Sequence, residues 1–328
     1  MDARSVEAYG GPLFVAWQLT NRCGARCLAC CEESGPDRAW DDELSREEAL
    51  RLAQQIADSG TPYVAFGGGE PLGVPHSWEV FERLVQAGVA LKLETDGRYI
   101  DESGADRLLG LAPHCVQISV DGATAATHER LRPGSSFAAT IASIERLTRR
   151  GYAPQLVFVP SRHNIHEAVE VYELATRLGC QAFVSGPLMR IGRAAAAWDS
   201  MVCSEATWQH CVERLHERAR TLDGGTALSI YPWDILTEIQ RRRESPQAML
   251  LIVPNGRVKL LNALPFAPAD LRRDSLEQAW QAYREAWRSP HVAAFVEACA
   301  ADPRLLRHAN ETWSMERPWP RAPVEVPQ

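Results

Sequence analysis

Residues 13–31 read LFVAWQLTNRCGARCLACC, and the fold is decided here. Positions 13–19 form an apolar run of strand length. The run passes through Thr20, Asn21 and Arg22 into four cysteines: Cys23, Cys27, Cys30 and Cys31. A buried strand with a reactive loop at its carboxyl end is the arrangement of parallel α/β folds, which bind ligands at that end.

Outward from this stretch the pattern repeats. Ser45 and Glu48 make a capping-box pattern. Ala49, Leu52, Ala53 and Ile56 follow at helical spacing, and Gly60 sits where a helix would stop. Further strands are expected at 63–66, 91–94, 115–120, 155–159 and 181–184, and further helices at 78–87, 103–111, 137–150 and 165–178. Alternation of this kind predicts a parallel sheet with crossover helices, here an α/β chain forming an open (β/α)6 barrel. Beyond residue 195 the rhythm changes. A helix is expected at 207–221, a hairpin over 250–253 and 258–261 with Asn255-Gly256 as a type I′ turn, and a helix at 276–287. The expected divisions are an N-terminal extension 1–11, the barrel 12–195, a small α+β domain 196–317 and a Pro-rich tail 318–328 that is extended or disordered.

The bulk numbers narrow the function. The 328 residues are 45% hydrophobic and 23% charged, enough for a sizeable core without disulfide staples. A net charge of −7 argues against a nucleic-acid binder that relies on a broad basic surface. The local run Arg241-Arg242-Arg243 reads as a solvated helix face. No stretch of about 18 apolar residues predicts a membrane span. Asp2, Arg4 and Glu7 stand where a signal peptide would need an apolar core, so a cytoplasmic protein is expected. In a reducing compartment, nine cysteines with four crowded together suggest metal binding rather than disulfides.

Cys23, Cys27 and Cys30 have C-x3-C-x2-C spacing. Three thiolates on one tight loop can each bind a different iron of a [4Fe-4S] cubane, leaving the fourth iron open to a substrate or cofactor. Two other readings stand beside this one. The thiols could simply be buried, or they could bind zinc, which normally takes four ligands from paired knuckles and finds no second C-x2-C here. Cys31 could also replace Cys30, giving C-x3-C-x3-C.

Together with Gly67-Gly68-Gly69-Glu70-Pro71 after the second strand, this loop resembles the radical S-adenosylmethionine superfamily. Three further motifs carry the resemblance over residues 12–195: Glu94-Thr95-Asp96-Gly97, Ser119-Val120-Asp121-Gly122, and His128-Glu129-Arg130-Leu131-Arg132 ahead of Gly134 and Phe137. It implies a partial, TIM-like barrel with Cys23, Cys27 and Cys30 as cluster ligands. It also implies that Gly67, Gly68, Gly69 and Glu70 hold the amino group of S-adenosyl-L-methionine, and that Ser119 and Arg132 hold its carboxylate. Glu70 could instead be a carboxylate at a helix start, and Arg132 a loop salt bridge. Thr95, Asp96 and Asp121 fall near the ribose or substrate, or are turn residues. Leu188 packs on adenine or is a core leucine. The implied chemistry is reductive cleavage of the cofactor to a 5′-deoxyadenosyl radical. That radical takes hydrogen from a small-molecule or peptide substrate, with a flavodoxin or ferredoxin as electron donor.

Pro254-Asn255-Gly256-Arg257-Val258, Asp274-Ser275-Leu276 and Ala279-Trp280 resemble the skeleton of a SPASM-type domain. Such domains usually carry auxiliary iron–sulfur clusters, yet residues 250–290 hold no cysteine, and Leu260-Leu261-Asn262-Ala263 stands where one is expected. The resemblance therefore implies a single cluster and a redox-neutral reaction. Cys180, Cys203, Cys211 and Cys299 fit no cluster spacing and read as ordinary thiols. A non-catalytic iron–sulfur or zinc scaffold is the alternative function.

Overall fold

The computed structural model describes residues 6–222 and 225–316. The expected tail 318–328 and the first five residues of the expected N-terminal extension lie outside the described residues. All six expected strands form: β1 (Phe14–Thr20), β2 (Tyr63–Gly68), β3 (Ala90–Thr95), β4 (Cys115–Ser119), β5 (Gln155–Phe158) and β6 (Ala182–Ser185). They pair in parallel and in chain order.

The crossover helices are α1 (Arg46–Asp58), α2 (Ser77–Gln86), α3 (Glu102–Gly110), α4 (Ala125–Leu131), α5 (Phe137–Arg149) and α6 (Ala168–Arg177). In α1 the capping box is complete. The Ser45 hydroxyl accepts from the Glu48 amide, and the Glu48 carboxylate accepts from the Ser45 amide. Such a cap contributes about 1 kcal/mol. Ala49, Leu52, Ala53 and Ile56 form the buried stripe, and each fully buried Leu or Ile adds roughly 1.5–3 kcal/mol. The short helix α4 was not expected. Its signal was Thr124, which caps it by accepting from the Thr127 amide.

Residues beyond 195 extend this same sheet at both edges. β7 (Ala227–Ile230) pairs in parallel with β6, and β8 (Met249–Ile252) pairs in parallel with β1. β9 (Arg257–Lys259) and β10 (Ala269–Asp270) then add in antiparallel fashion. The order is β10-β9-β8-β1-β2-β3-β4-β5-β6-β7, an open sheet of ten strands and a partial barrel. One apolar core runs from Val6 to Trp313 and draws on both halves of the chain.

The β8–β9 hairpin exists, but its turn differs from the one expected. The Gly256 amide donates to Val253 O at 2.9 Å, and Val253 N donates to Arg257 O at 3.0 Å. Gly256 has φ +82, whereas Asn255 is absent from the positive-φ residues. The loop is therefore Pro254-Asn255-Gly256, a type I turn closed by a left-handed glycine. Pro254 locks the negative φ that the first turn position needs, which excludes type I′.

Among the described residues no helix is long and apolar enough to cross a membrane. After β6 come α7 (Gly192–Ala196), α8 (Trp198–Met201), α9 (Glu205–Thr221) and α10 (Ile235–Glu244); α11 (Leu276–Ala286) and α12 (Pro290–Ala301) follow the hairpin.

Candidate active site

The carboxyl ends of β1 to β4 converge on a cavity of about 310 Å³. Cys23, Cys27 and Cys30 line one side of it. Their loop is fastened at several points. Cys23 N donates to Gly35 O at 3.0 Å, and Arg26 N and Leu28 N donate to Pro133 O and Leu131 O at 2.7 and 2.8 Å. The Ser34 amide points at the Cys30 sulfur at 3.4 Å. Cys31 also lines the cavity, but its thiol is turned toward Ala29 O at 4.0 Å. In the protein alone burial pushes the Cys23 thiol up to about 12 and raises Cys27 as well, so ionising them requires a metal that displaces the protons. Among the described residues no three His, Cys, Asp or Glu side chains converge on one ion-sized point. The three cysteines instead line one edge of the cavity.

The glycine turn closes the next wall. Gly69 N donates to Thr20 O at 2.7 Å and Glu70 N to Arg22 O at 2.9 Å, so the turn continues the pairing of β2 with the chain entering the cysteine loop. A Cβ on Gly69 would stand 2.0 Å from the Arg22 carbonyl oxygen. The close approach that demands glycine here is therefore to the protein's own backbone. Gly67 and Gly68 line the cavity beside it.

Glu70 is buried at the cavity wall and is tied back by its neighbours. Thr95 Oγ1 donates to its carboxylate at 2.8 and 2.9 Å, Asp96 N at 2.9 Å and Leu72 N at 3.2 Å. Burial, with the Asp96 charge added, pushes the carboxyl up to about 8, against those hydrogen bonds. A cation arriving in the cavity would favour the ionised form. Asp96 is itself paired with Arg98, at 2.8 Å from Nε and 2.7 Å from the nearer terminal nitrogen.

Ser119 and Arg132 face the cavity from β4 and from the end of α4. Arg132 donates through Nη1 to Asp121 Oδ2 at 2.8 Å, while its Nε is buried and has no protein partner. Asp121 does not reach the cavity. It stands behind Arg132, and its other oxygen accepts from Val159 N at 2.9 Å. Asp121, expected near ribose or substrate, stands in this structure where it orients Arg132. Its own amide donates to His128 Nδ1 at 3.2 Å.

Leu188 does not line this cavity. It packs with Ala194 and Met201, in a cluster that Leu28 and Ala29 of the cysteine loop and the cavity-lining Val159 also join, and it lines a second cavity with Trp198 and Trp208. Cys180, Cys203, Cys211 and Cys299 do not line the cysteine cavity. Among the residues that do, Glu32, Glu94, Met189, Arg193 and Asn262 were not singled out as site residues. Glu94 sat inside a quoted motif, and Asn262 occupies the stretch where a cysteine was expected. Arg193 carried no signal beyond a Gly-Arg pair soon after the sixth strand. Asn310, from the far end of the chain, donates to Cys31 O at 2.9 Å and to Glu33 at 3.0 Å.

A family model described as the Radical SAM superfamily matches residues 17–175. The mycofactocin maturase MftC of Mycobacterium ulcerans is 31% identical over 191 residues, which are 58% of this chain and 51% of that protein. The AdoMet-dependent heme synthase of Methanosarcina barkeri is 31% identical over 184 residues, 56% of this chain and 52% of that one. The chain thus spans about half the length of the curated relatives it matches. Among solved structures, Streptococcus suis SuiB bound to S-adenosylmethionine superposes with a TM-score of 0.69 at 12% identity, covering 90% of this chain and 72% of SuiB. That likeness is one of fold.

Proposed function

This chain belongs to the radical SAM superfamily through residues 17–175, and from that premise we propose that it cleaves S-adenosylmethionine reductively to initiate a biosynthetic radical reaction. The observation that carries the reading is the shared cavity. Three cysteine sulfurs, a buried carboxylate at Glu70 and the unpartnered Nε of Arg132 meet around one space. That donor set fits a three-thiolate [4Fe-4S] cluster beside an amino-acid zwitterion. A bound cluster and cofactor supply one-electron cleavage of a carbon–sulfur bond, giving methionine and a 5′-deoxyadenosyl radical.

The chain's own residues do the rest. Cys23, Cys27 and Cys30 would hold three irons. Cys30 is favoured over Cys31 because the Ser34 amide already donates toward its sulfur. Glu70, braced by Thr95 and the Asp96 amide, would accept from the cofactor's ammonium. Arg132, aimed by Asp121, would bind the carboxylate with Ser119 beside it. Glu70 and Thr95 are both buried in the cavity wall, so this acceptor is held in a fixed place.

The hydrogen-donating substrate is a small molecule or a peptide. The relatives' names differ, one being a mycofactocin maturase and the other a heme synthase, so they single out no one substrate. We read residues 196–317 as a SPASM-like part without auxiliary clusters, which favours a redox-neutral outcome. A flavodoxin or ferredoxin is the proposed source of the electron.

The test is anaerobic reconstitution followed by dithionite and S-adenosylmethionine. Wild type should bind about four irons per chain, one cubane, and release 5′-deoxyadenosine. Cys27→Ala should lose both. About eight irons would end the single-cluster reading, and an active, iron-replete Cys27→Ala would end the ligand assignment.

A further inference from the structure

The turn into α7 touches the cysteine loop backbone to backbone. Gly192 has φ +56, and a Cβ there would stand 2.4 Å from Cys30 O and 2.3 Å from Cys31 O. Ile191 and Ala194, on either side of the Gly192-Arg193 pair, are fully buried and fix the turn in the core. Arg193 then makes two bonds to the loop. Its amide donates to Cys30 O at 3.0 Å, and its Nε donates to Cys27 O at 2.6 Å. One terminal nitrogen of the guanidinium, Nη2, remains buried without a partner, and the side chain lines the cavity that the three sulfurs edge. Both Arg193 and Arg132 lie within electrostatic reach of the Cys27 thiol.

A guanidinium presents its donors in one rigid plane. With Nε committed to Cys27 O, the buried Nη2 is held beside the cysteine loop, on a side chain that lines the same cavity as the Cys27 sulfur. We propose that Arg193 is a positioning residue for the cluster: it clamps the Cys27 and Cys30 carbonyls and donates its free nitrogen to a cluster sulfur, where its fixed charge favours the reduced cluster. The proposal rests on the cluster reading given under Proposed function. Net charge and hydrogen bonds to sulfur are among the quantities that set an iron–sulfur potential. Removing a cation from beside the cluster should therefore make reduction harder.

The experiment compares reconstituted wild type, Arg193→Gln and Arg193→Lys. The cluster's midpoint potential is followed by electron paramagnetic resonance, iron release is timed against a chelator, and S-adenosylmethionine affinity is measured by calorimetry. Arg193→Gln should show a midpoint shifted to more negative potential and iron release several-fold faster than wild type. Arg193→Lys should move the potential back toward wild type while iron release stays fast, because an ammonium keeps the charge but cannot span two partners. A wild-type potential and release rate in Arg193→Gln would overturn the proposal. So would weaker cofactor binding at unchanged potential, which would assign the free nitrogen to the cofactor's carboxylate. If Arg193→Gln fails to fold, the lysine variant decides: release as slow as wild type refutes the clamp. Wild type that takes up no iron would instead refute the cluster reading, so the two failures are distinguishable.

Discussion

His128 is fully buried on α4, and its Nδ1 accepts the Asp121 amide, so the ring carries its proton on Nε2 and is neutral. Burial, and then the charge of Arg132, hold its pKa down at about 4. The unfolded chain takes up a proton as pH falls through about 6.5, whereas the folded chain does so only near 4. Folding is therefore progressively weakened between those values and levels off below them. The linkage amounts to about 3 kcal/mol across the full window. His128→Asn offers a neutral acceptor in place of Nδ1. Urea unfolding of the metal-free proteins at pH 7 and pH 4.5 should show wild type losing about 2–3 kcal/mol more than the variant. Equal losses would mean that the imidazole is not held neutral. The same contacts lead from His128 through the Asp121 amide and carboxylate to Arg132, so the buried imidazole supports the residue that aims this arginine.

At the scale of elements, the hairpin shows where sequence pattern stops short. Asn-Gly between two apolar runs points to a two-residue type I′ turn, which needs positive φ at both positions. Pro254 overrides it by fixing a type I turn one residue earlier, and Gly256 alone goes left-handed. Both turns put Gly256 in the left-handed region, and they differ in what they predict at Asn255. Gly256→Ala should cost about 1–2 kcal/mol from the left-handed backbone, and the 3.0 Å approach of its Cβ to Leu44 adds to this. Asn255→Gly should not stabilise, since Asn255 has no positive φ to relieve. Thermal melts of the two variants against wild type check both, and a stabilising Asn255→Gly would restore the type I′ turn. Other elements went unread for physical reasons. α12 is capped by Ser289 with Pro290 at its first position, a legible start signal, but its alanine-rich sequence blurs the contrast between faces that marks an amphipathic helix. β7 lies at the sheet edge with alternate residues exposed, and its partner β6 is some forty residues back along the chain. By contrast, the six inner strands and the capping box of α1 were legible because local pattern and burial agree there. At the site, motif residues at strand ends reached the cavity, while Asp121 and Leu188 did not. A motif fixes a residue's place along the chain, not the direction its side chain takes.

For the whole molecule, the change of rhythm near residue 195 suggests a boundary, but strand pairing crosses it twice. β8 is the parallel partner of β1 along Phe14 to Trp17, and β7 extends β6 at the opposite edge. The apolar core is equally shared: Trp280 is buried, and its ring nitrogen donates to Tyr9 O at 3.1 Å. Late residues also reach the cysteine loop and the segment after it: Asn262 lines the cavity, Asn310 donates to Cys31 O, and Asn255 donates to the Asp42 carboxylate at 2.9 Å. Cutting after residue 195 would expose the β1 edge, a ready site for aggregation, and would remove the bonds that Trp280 and Leu276 of α11 make to Tyr9 and Gln55. A chain ending at residue 195 should therefore fail to give a cooperative unfolding transition and should be recovered mainly as aggregate, although it contains every cysteine assigned to the cluster. Calorimetry and size-exclusion chromatography of the truncated and full chains measure this directly. A monomeric, cooperatively melting fragment that still takes up about four irons would show that the early residues form the site unaided, and would reduce the late strands to a cover.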